Sequence, residues 1–145
     1  MLSEHLKGNV RFLQSVNSWE DAIREAASPL LENGSITSKY IDDMIQSVNT
    51  NGPYIVVVPE IALPHAKNEN SVEKTGISFL QLQDPVFFPE DKEVKILFVL
   101  AAEDSSGHLD IISDLSSVLM EEEVKNKLKE SKSEKEILDL LDEVE

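Results

Sequence analysis

The chain has 145 residues, 41% of them apolar, and its 13 basic and 28 acidic side chains give a formal net charge of −15. This is the length of one ordinary domain, and so negative a protein is expected to bind neither nucleic acid nor an anionic membrane. The chain has no cysteine, no apolar run long enough to span a membrane and no signal-peptide pattern, so we expect a soluble, cytoplasmic protein without disulfides or thiolate sites.

Two amphipathic helices are predicted in the first third of the chain. The first begins at Ser18, which opens a capping-box pattern, and apolar residues recur at helical spacing from there to about residue 32. Pro29 removes one internal hydrogen bond, so a kink or an early end is expected there. The second helix begins at about Ser38 and ends before the Asn-Gly-Pro segment at 51–53.

The middle of the chain is typical of β-strands. Residues 54–58, YIVVV, are β-branched and aromatic and are bounded by prolines, which indicates a buried strand. Residues 77–82 and 96–102 are two further strand candidates, and the continuous apolar run of the latter predicts cover on both faces. Residues 86–88 are expected to form a shorter strand between them.

Helical periodicity returns in the last third of the chain. A helix is expected from about Ser106 to Met120, a short one around residues 124–128, and a last one after Ser133. Helices at both ends of a strand region predict an α/β fold, a three-layer helix/sheet/helix sandwich with a central mixed sheet. We expect residues 1–145 to form a single domain, with a strand order that the sequence leaves open.

Histidines are the candidate chemical groups, because the chain has three of them, no cysteine, and few other groups that titrate near neutrality. His5 lies in a polar N-terminal segment and is expected to be an ordinary exposed side chain. His65 follows a predicted strand and a turn at residues 59–63, and Pro64 restricts the backbone beside it, so its imidazole is held on a stiff loop. A histidine that only packs the turn is the alternative interpretation.

His108 falls near the predicted start of a helix. The partial positive charge of a helix N-terminus disfavours imidazolium and favours an anion beside the ring. Ser105 and Ser106 are the expected capping residues. Taken alone, His108 fits a hydrogen-bonded core histidine. Together with a histidine nucleophile on a loop, it suits phosphoryl transfer, which depends mostly on positioning and charge stabilisation.

A metal or cofactor is not required for such a transfer. A zinc site formed by His65, His108 and an acid such as Glu60 or Asp110 is the alternative, but no ligand spacing in the sequence supports it. The chain also lacks a Gly-rich phosphate loop, a G-x-S-x-G motif and a dinucleotide fingerprint. Transfer by histidine, with no cofactor, is therefore the favoured hypothesis.

Two segments resemble the mannitol/fructose superfamily of phosphotransferase-system (PTS) IIA domains, the EIIA type-2 family. The first is residues 52–66, GPYIVVVPEIALPHA, and in that family the histidine of an Ala-Leu-Pro-His segment accepts a phosphoryl group. The second is residues 101–109, AAEDSSGHL, which looks like the family's strand–loop–helix element. The resemblance covers nearly the whole chain, and these segments look most like the ascorbate-type, pentitol-related branch.

The resemblance implies a phosphoryl relay that serves carbohydrate uptake. Phosphorylated HPr would donate to His65, which would donate in turn to a cysteine of a cognate IIB component, with the membrane component IIC involved indirectly. Nε2 of His65 would be the attacking atom, giving a tele-phosphohistidine, and His108 would orient His65 or bind the phosphoryl oxygens. The expected neighbourhood of the phosphoryl group is Pro64, Ala66, Ser105 and Ser106.

Three further expectations concern partners and departures from the family. Ile61 and Leu63, with Ala66, are expected to form a neutral docking patch through which a partner can approach so acidic a protein. Asn49 stands where mannitol-type members usually carry an arginine, which weakens an assignment to mannitol. Glu60 stands where many relatives have glycine, and would bring an acidic side chain near the phosphoryl site.

The alternative function is a regulatory EIIA-like module. Its phosphorylated and free states would bind a different protein, such as a transcription regulator, because a phosphoryl group adds strong acceptor charge to an interface. The gene neighbourhood distinguishes the two functions, since IIB and IIC genes favour the carrier and a lone regulator gene favours the module.

Overall fold

The computed structural model describes residues 2–144, which contain six α-helices and five β-strands. In chain order the elements are α1 (Leu2–Leu6), β1 (Val10–Leu13), α2 (Trp19–Glu32), α3 (Ser38–Asn51), β2 (Val56–Val58), β3 (Glu60–Ala62), β4 (Gly76–Phe88), β5 (Lys92–Ala101), α4 (Ser105–Leu119), α5 (Glu122–Glu130) and α6 (Glu134–Val144). A single 3₁₀ turn, Pro89–Asp91, joins β4 to β5. None of the helices within residues 2–144 has both the length and the apolar character of a membrane span.

The five strands form one mixed sheet in the order β1-β4-β5-β3-β2. The long antiparallel pair β4 and β5 lies at its centre, with β1 parallel to β4 on one side and β3 parallel to β5 on the other. The short strand β2 pairs antiparallel to β3 and closes the far edge. The predicted mixed sheet is therefore confirmed, and its order places the carboxyl ends of β3 and β5 at the same edge.

Helices cover both faces of the sheet. The apolar residues of α2 and α3 pack with one face in a buried cluster that includes Ile23, Met44 and Leu97. Residues of α1, α4, α5 and α6 pack with the other face in a second cluster that includes Phe98 and Leu115. Because alternate residues of a strand point to opposite faces, β5 contributes to both clusters and is buried over most of its length. The three-layer sandwich is confirmed.

Some predicted strand boundaries are wrong. The segment predicted as a buried strand at 54–58 forms only β2, an edge strand in which Val57 is 45% exposed. β-Branched residues suit an exposed edge as well as a buried centre, so their presence did not distinguish the two. Residues 86–88 belong to β4, which continues past an irregularity between Gln81 and Val86. The elements α1, β1 and β3 have three to five residues each, too few to show a periodicity.

Of the two outcomes expected at Pro29, a kink or an early end of the helix, the early end does not occur. Pro29 has no N–H to donate to the carbonyl of Glu25. That carbonyl instead accepts hydrogen bonds from Ser28 Oγ at 3.0 Å and from Arg11 Nη1 at 3.1 Å. The helix continues to Glu32 because both substitute donors satisfy the carbonyl that the proline leaves open, and Pro29 itself is buried.

Candidate functional site

His65 and His108 meet because their loops leave neighbouring parallel strands. The loop with His65 follows β3 and the helix with His108 follows β5, and parallel neighbours end at the same edge of a sheet. Beyond the end of β3, the N–H of Leu100 donates to the carbonyl of Pro64 at 2.9 Å. This bond extends the pairing with β5 by one step, so the residue before His65 is anchored to the central sheet.

A tyrosine of α3 fixes the residue after His65. The backbone N–H of Ala66 donates to the phenol oxygen of Tyr40 at 3.0 Å, and the phenol donates to the carbonyl of Leu100 at 2.5 Å. Tyr40 is only 1% exposed, and burial raises the pKa of its phenol to about 12. The phenol therefore stays neutral and keeps its donor proton at any physiological pH.

The imidazole of His65 is oriented by its own loop. Its Nδ1 lies 2.6 Å from the carbonyl oxygen of Leu63. A carbonyl oxygen only accepts hydrogen bonds, so in the neutral ring Nδ1 carries the proton and Nε2 keeps its lone pair. The side chain is partly exposed. This geometry provides a positioned nucleophilic nitrogen that faces away from the backbone contact.

The ring of His108 stands nearly perpendicular to that of His65, with an interplanar angle of 80° and centroids 5.1 Å apart. His108 lies in the first turn of α4, where its backbone N–H donates to the carbonyl of Asp104 at 3.2 Å. Partial burial lowers the pKa of its imidazole, and the neighbouring charge of His65 lowers it further. His108 is therefore a neutral ring beside the proposed nucleophile.

The serines before His108 do not cap its helix, contrary to expectation. Asp104 is the N-cap, and its Oδ1 accepts a hydrogen bond from the N–H of Gly107 at 2.7 Å. Asp and Ser are equally good caps, so the residue with extended backbone geometry takes the role. Ser105 and Ser106 are exposed in the first turn of α4, where Ser105 lines the same cavity as His108.

Tyr54 is a residue of the site that was not predicted from the sequence. Its ring stands at 90° to that of His65, with centroids 5.7 Å apart, and its hydroxyl lies 2.7 Å from Ser47 Oγ on α3. Tyr54 is 46% exposed. The available signal was an aromatic residue in the same motif as His65, but Tyr54 was assigned to a strand.

Two cavities flank the loop of His65, and Lys67 lines both. The larger, of about 470 Å³, is also lined by His108 and Ser105, together with Asn68, Ala102, Glu103 and Asp104. The smaller, of about 270 Å³, lies against α3 and includes Ala66. Lys67 was not singled out in the sequence, although a cation two residues after the candidate nucleophile is notable in so acidic a chain.

The predicted docking residues Ile61 and Leu63 are buried, which corrects that expectation. They are 0% and 1% exposed and belong to the cluster beneath α4 to α6. Ile61 is in β3 and points into the core, whereas Leu63 contributes only its carbonyl to the site. The large apolar side chains that are exposed beside the histidines are instead Tyr54 and Leu109, the latter 67% exposed.

The side chain of Glu60 was expected near the phosphoryl site and is instead paired with a lysine. Its carboxylate pairs with Lys129 of α5 at 2.8 Å, and its backbone has a φ of 73°. A positive φ is readily adopted by glycine, which explains why glycine fits at this position. Within residues 2–144, no three His, Cys, Asp or Glu side chains are grouped to hold a metal ion. Asn49 is exposed on α3.

Comparison with known proteins places this arrangement in a family. The family model described as phosphoenolpyruvate-dependent sugar phosphotransferase system, EIIA 2, matches residues 5–144. The chain belongs to this family. It is therefore an EIIA component of the sugar phosphotransferase system, and the α/β fold described above is the fold of solved PTS IIA proteins.

Three relatives illustrate the similarity. The mannitol-specific cryptic phosphotransferase enzyme IIA component of Escherichia coli is 35% identical over 93% of this chain and 92% of its own, and its solution structure superposes with a TM-score of 0.89. The ascorbate-specific EIIA component of Shigella boydii is 31% identical over 92% of this chain and 89% of its own. IIA mannitol of E. coli, solved in complex with phosphorylated IIB mannitol, is 28% identical over 92% of this chain and 94% of its own, with a TM-score of 0.82.

Proposed function

We propose that this EIIA component is a cytoplasmic phosphocarrier that accepts a phosphoryl group on Nε2 of His65 and passes it to a IIB component. The observation that carries the proposal is the 2.6 Å contact between Nδ1 of His65 and the carbonyl of Leu63, which leaves Nε2 free beside His108. A nucleophile held by its backbone, on a loop anchored at both sides, needs little reorganisation before it attacks.

The first transfer is a displacement at phosphorus. The lone pair of Nε2 forms the N–P bond as the bond between phosphorus and the donor atom of phosphorylated HPr breaks, and the donor atom keeps that electron pair. The proton on Nδ1 stays on the ring and is held by the carbonyl of Leu63. The product is a tele-phosphohistidine, and no metal takes part in the proposed step.

The second transfer reverses the first with a different partner. A cysteine thiolate of the IIB component attacks phosphorus, an S–P bond forms, and Nε2 recovers its lone pair as the N–P bond breaks. The solved complex of IIA mannitol with phosphorylated IIB mannitol supports a IIB protein as the partner. Exposed Tyr54, whose ring lies beside His65, and exposed Leu109, which follows His108 in the chain, offer apolar contacts that suit such a partner.

His108 stabilises the charge of the transferred group. Its pKa is lowered while His65 is free, so its ring is neutral when the donor approaches. A neutral imidazole donates through one ring N–H to a phosphoryl oxygen. Once the phosphoryl group has arrived, its negative charge favours the protonated form of His108, which strengthens the interaction.

Which carbohydrate is taken up is a property of the whole uptake system and not of the EIIA component alone. The relatives include mannitol-specific and ascorbate-specific components at similar identity. The motifs before the two histidines favour the ascorbate-type branch, and we propose L-ascorbate as the first substrate to test. Loss of growth on L-ascorbate, with growth on mannitol retained, is the expected result of deleting the gene, and the reverse result would assign mannitol.

The proposal is tested by phosphorylation in vitro. Incubation with labelled phosphoenolpyruvate, enzyme I and HPr should label the wild-type protein and the His5→Ala variant. The His65→Ala variant should stay unlabelled, and a cooperative thermal unfolding transition should show that it is folded. The label should be lost in acid, as expected for an N–P bond, and should pass to an added IIB protein. Acid-stable label, or label on His65→Ala, would refute the proposal, and label that no IIB protein accepts would favour the regulatory module.

A further inference from the structure

We propose that Lys67 is the cation that balances the phosphoryl group on His65. This inference rests on the proposed function and names a further residue for the same reaction. A phosphoryl group adds between one and two negative charges to a protein that already carries −15. A carrier that gains so much charge at a single atom needs a nearby positive charge to hold the group at a useful equilibrium.

Position is the first argument for Lys67. It lies two residues after the nucleophile and lines both cavities that flank the loop. His108 lines the larger of these cavities, and its ring centroid is 5.1 Å from that of His65. A phosphoryl group on Nε2 beside His108 is therefore near the wall that Lys67 forms, and the flexible four-carbon stem of lysine lets its ammonium group follow the phosphate.

The second argument is that Lys67 has no carboxylate to bind. Within residues 2–144, the ion pairs closer than 4 Å do not include it. It is also the one lysine or arginine among the residues of the described chain that line either cavity. The ammonium group of Lys67 is therefore exposed, has no ion-pair partner among the described residues, and is available to bind the phosphoryl anion.

The acidic residues around Lys67 are engaged elsewhere. In the larger cavity, the carboxylate of Glu103 accepts the N–H of Thr75 at 3.2 Å and that of Asp104 caps α4. In the smaller cavity, Asp43 pairs with Lys39 at 2.8 Å, and Glu69 lies 3.9 Å from the same lysine. These carboxylates make the surroundings negative without neutralising Lys67, so the cation counters their repulsion of an incoming phosphoryl group.

The test compares Lys67→Met, Lys67→Arg and the wild type, with Lys74→Met as the matched control. Lys74 is another exposed lysine without an ion pair among the described residues, and it lines neither cavity. In 50 mM salt, Lys67→Met should lower the equilibrium constant for phosphoryl transfer from HPr about 5-fold, the range of one exposed charge-assisted contact. Lys67→Arg should restore it, and the difference should shrink in 0.5 M salt because screening weakens exposed charge pairs.

A second measurement separates a charge effect from a general structural one. The ³¹P resonance of phosphorylated His65 reports the titration of the phosphoryl group itself. Lys67 favours its more highly charged form, so Lys67→Met should raise the pKa of the phosphoryl group, whereas Lys67→Arg and Lys74→Met should leave it as in the wild type. An unfolded or distorted variant would not give this selective shift.

The outcomes distinguish this inference from the proposed function. If the wild type takes no label on His65, the phosphocarrier proposal fails. If the wild type is labelled on His65, but Lys67→Met changes neither the transfer equilibrium nor the ³¹P titration, only the role of Lys67 is refuted. Equal effects of Lys67→Met and Lys74→Met would also refute it, because they would reflect net charge alone.

Discussion

Tyr40 connects the residue after the proposed nucleophile to the central strand. Its phenol oxygen accepts a hydrogen bond from the N–H of Ala66 at 3.0 Å, and its O–H donates one to the carbonyl of Leu100 at 2.5 Å. The backbone N–H of Leu100 in turn donates a hydrogen bond to the carbonyl of Pro64 at 2.9 Å. His65 is therefore held by bonds to the residues on both sides of it, and the position of its ring is set by the sheet and α3 together.

Replacing Tyr40 by phenylalanine should loosen this loop. Tyr40→Phe keeps the buried ring but leaves the N–H of Ala66 and one lone pair of Leu100 without their partner, which costs about 1–3 kcal/mol of unfolding free energy. Because a displaced nucleophile reacts more slowly, we expect about a 10-fold loss in the rate of labelling by phosphorylated HPr. Urea denaturation and the labelling rate measure the two effects.

Tyr54→Phe is the matched control for stability. The Tyr54→Phe substitution also removes a hydroxyl contact, the one to Ser47, but this contact lies on an exposed part of the surface. We expect a change within about 0.5 kcal/mol for this variant. If Tyr40→Phe is no less stable than Tyr54→Phe, the hydrogen bonds of Tyr40 do not hold the loop.

The stability of the unphosphorylated protein should depend on pH through His108. Burial, and then the charge of His65, lower the pKa of His108 in the folded state below its unfolded value of about 6.5. Above that pH both states are neutral at this site. As the pH falls below it, the unfolded state binds the proton first, so the free energy of unfolding decreases until the pH passes the folded pKa. Thermal unfolding of the wild type and His108→Gln between pH 7.5 and 5 should show the wild type losing more stability.

The pKa of His108 can also be followed directly by NMR. In His65→Ala the pKa of His108 should rise, because the charge of His65 no longer opposes its protonation. Phosphorylation of His65 should raise it further, since a phosphoryl anion favours imidazolium. A pKa of His108 at or above its unfolded value in the unphosphorylated wild type would contradict this account.

The helical layers and the central strands could be predicted because they are long enough to show a pattern. The repeat of apolar residues in α2, α3 and α4, and the cap at Ser18, whose Oγ accepts the N–H of Asp21 at 3.2 Å, are local features. The strands β1 and β3 have four and three residues and owe their conformation to pairing with β4 and β5. No local signal exists for such elements, which is why β3 was interpreted as a turn.

The candidate site was predicted only in part for the same reason. The local settings of His65 and His108, one after a proline and one at a helix start, made them candidates, and the resemblance to PTS IIA domains selected them. Their proximity depends on the parallel pairing of β3 with β5, which the sequence leaves open. Ile61 and Leu63 were expected to be exposed because residues 59–63 were interpreted as a turn. Ile61 lies instead in β3 and Leu63 directly follows it, and both side chains are buried in the cluster that covers this face of the sheet.

Burial separates the roles of Ile61 and Leu109. Ile61→Ala should destabilise the fold by about 2–5 kcal/mol, because it leaves a cavity in the fully packed cluster beneath α4. Leu109→Ser should leave the unfolding free energy within about 0.5 kcal/mol of the wild type, since the side chain is 67% exposed. Leu109→Ser should nevertheless weaken binding to HPr or IIB several-fold, because it removes an apolar contact beside the two histidines.

Met120→Ser provides the control for the docking prediction. Met120 is 81% exposed and follows α4 at the end opposite to His108. The half-saturating concentration of HPr in the labelling reaction should rise for Leu109→Ser and not for Met120→Ser. An equal effect of the two substitutions would show that partners do not approach over the N-terminal end of α4.

The last prediction concerns Glu60, whose backbone is strained and whose side chain is paired. Glu60→Ala and Glu60→Gly both remove the ion pair with Lys129, in which each side chain is about a quarter exposed. Only glycine also relieves the positive φ of 73°. Glu60→Gly should therefore be about 1 kcal/mol more stable than Glu60→Ala, as measured by urea denaturation.

Both variants should also keep the rate of His65 labelling within about 2-fold of the wild-type rate. The carboxylate of Glu60 points to Lys129 in α5, and the loop of His65 is held independently by Tyr40 and Leu100. Substitution of Glu60 is thus expected to change the free energy of unfolding without changing the labelling rate. A large loss of labelling in Glu60→Ala, at unchanged stability, would mean that the acidic side chain takes part in the transfer. Equal stability of the alanine and glycine variants would mean that the left-handed backbone at residue 60 carries no strain.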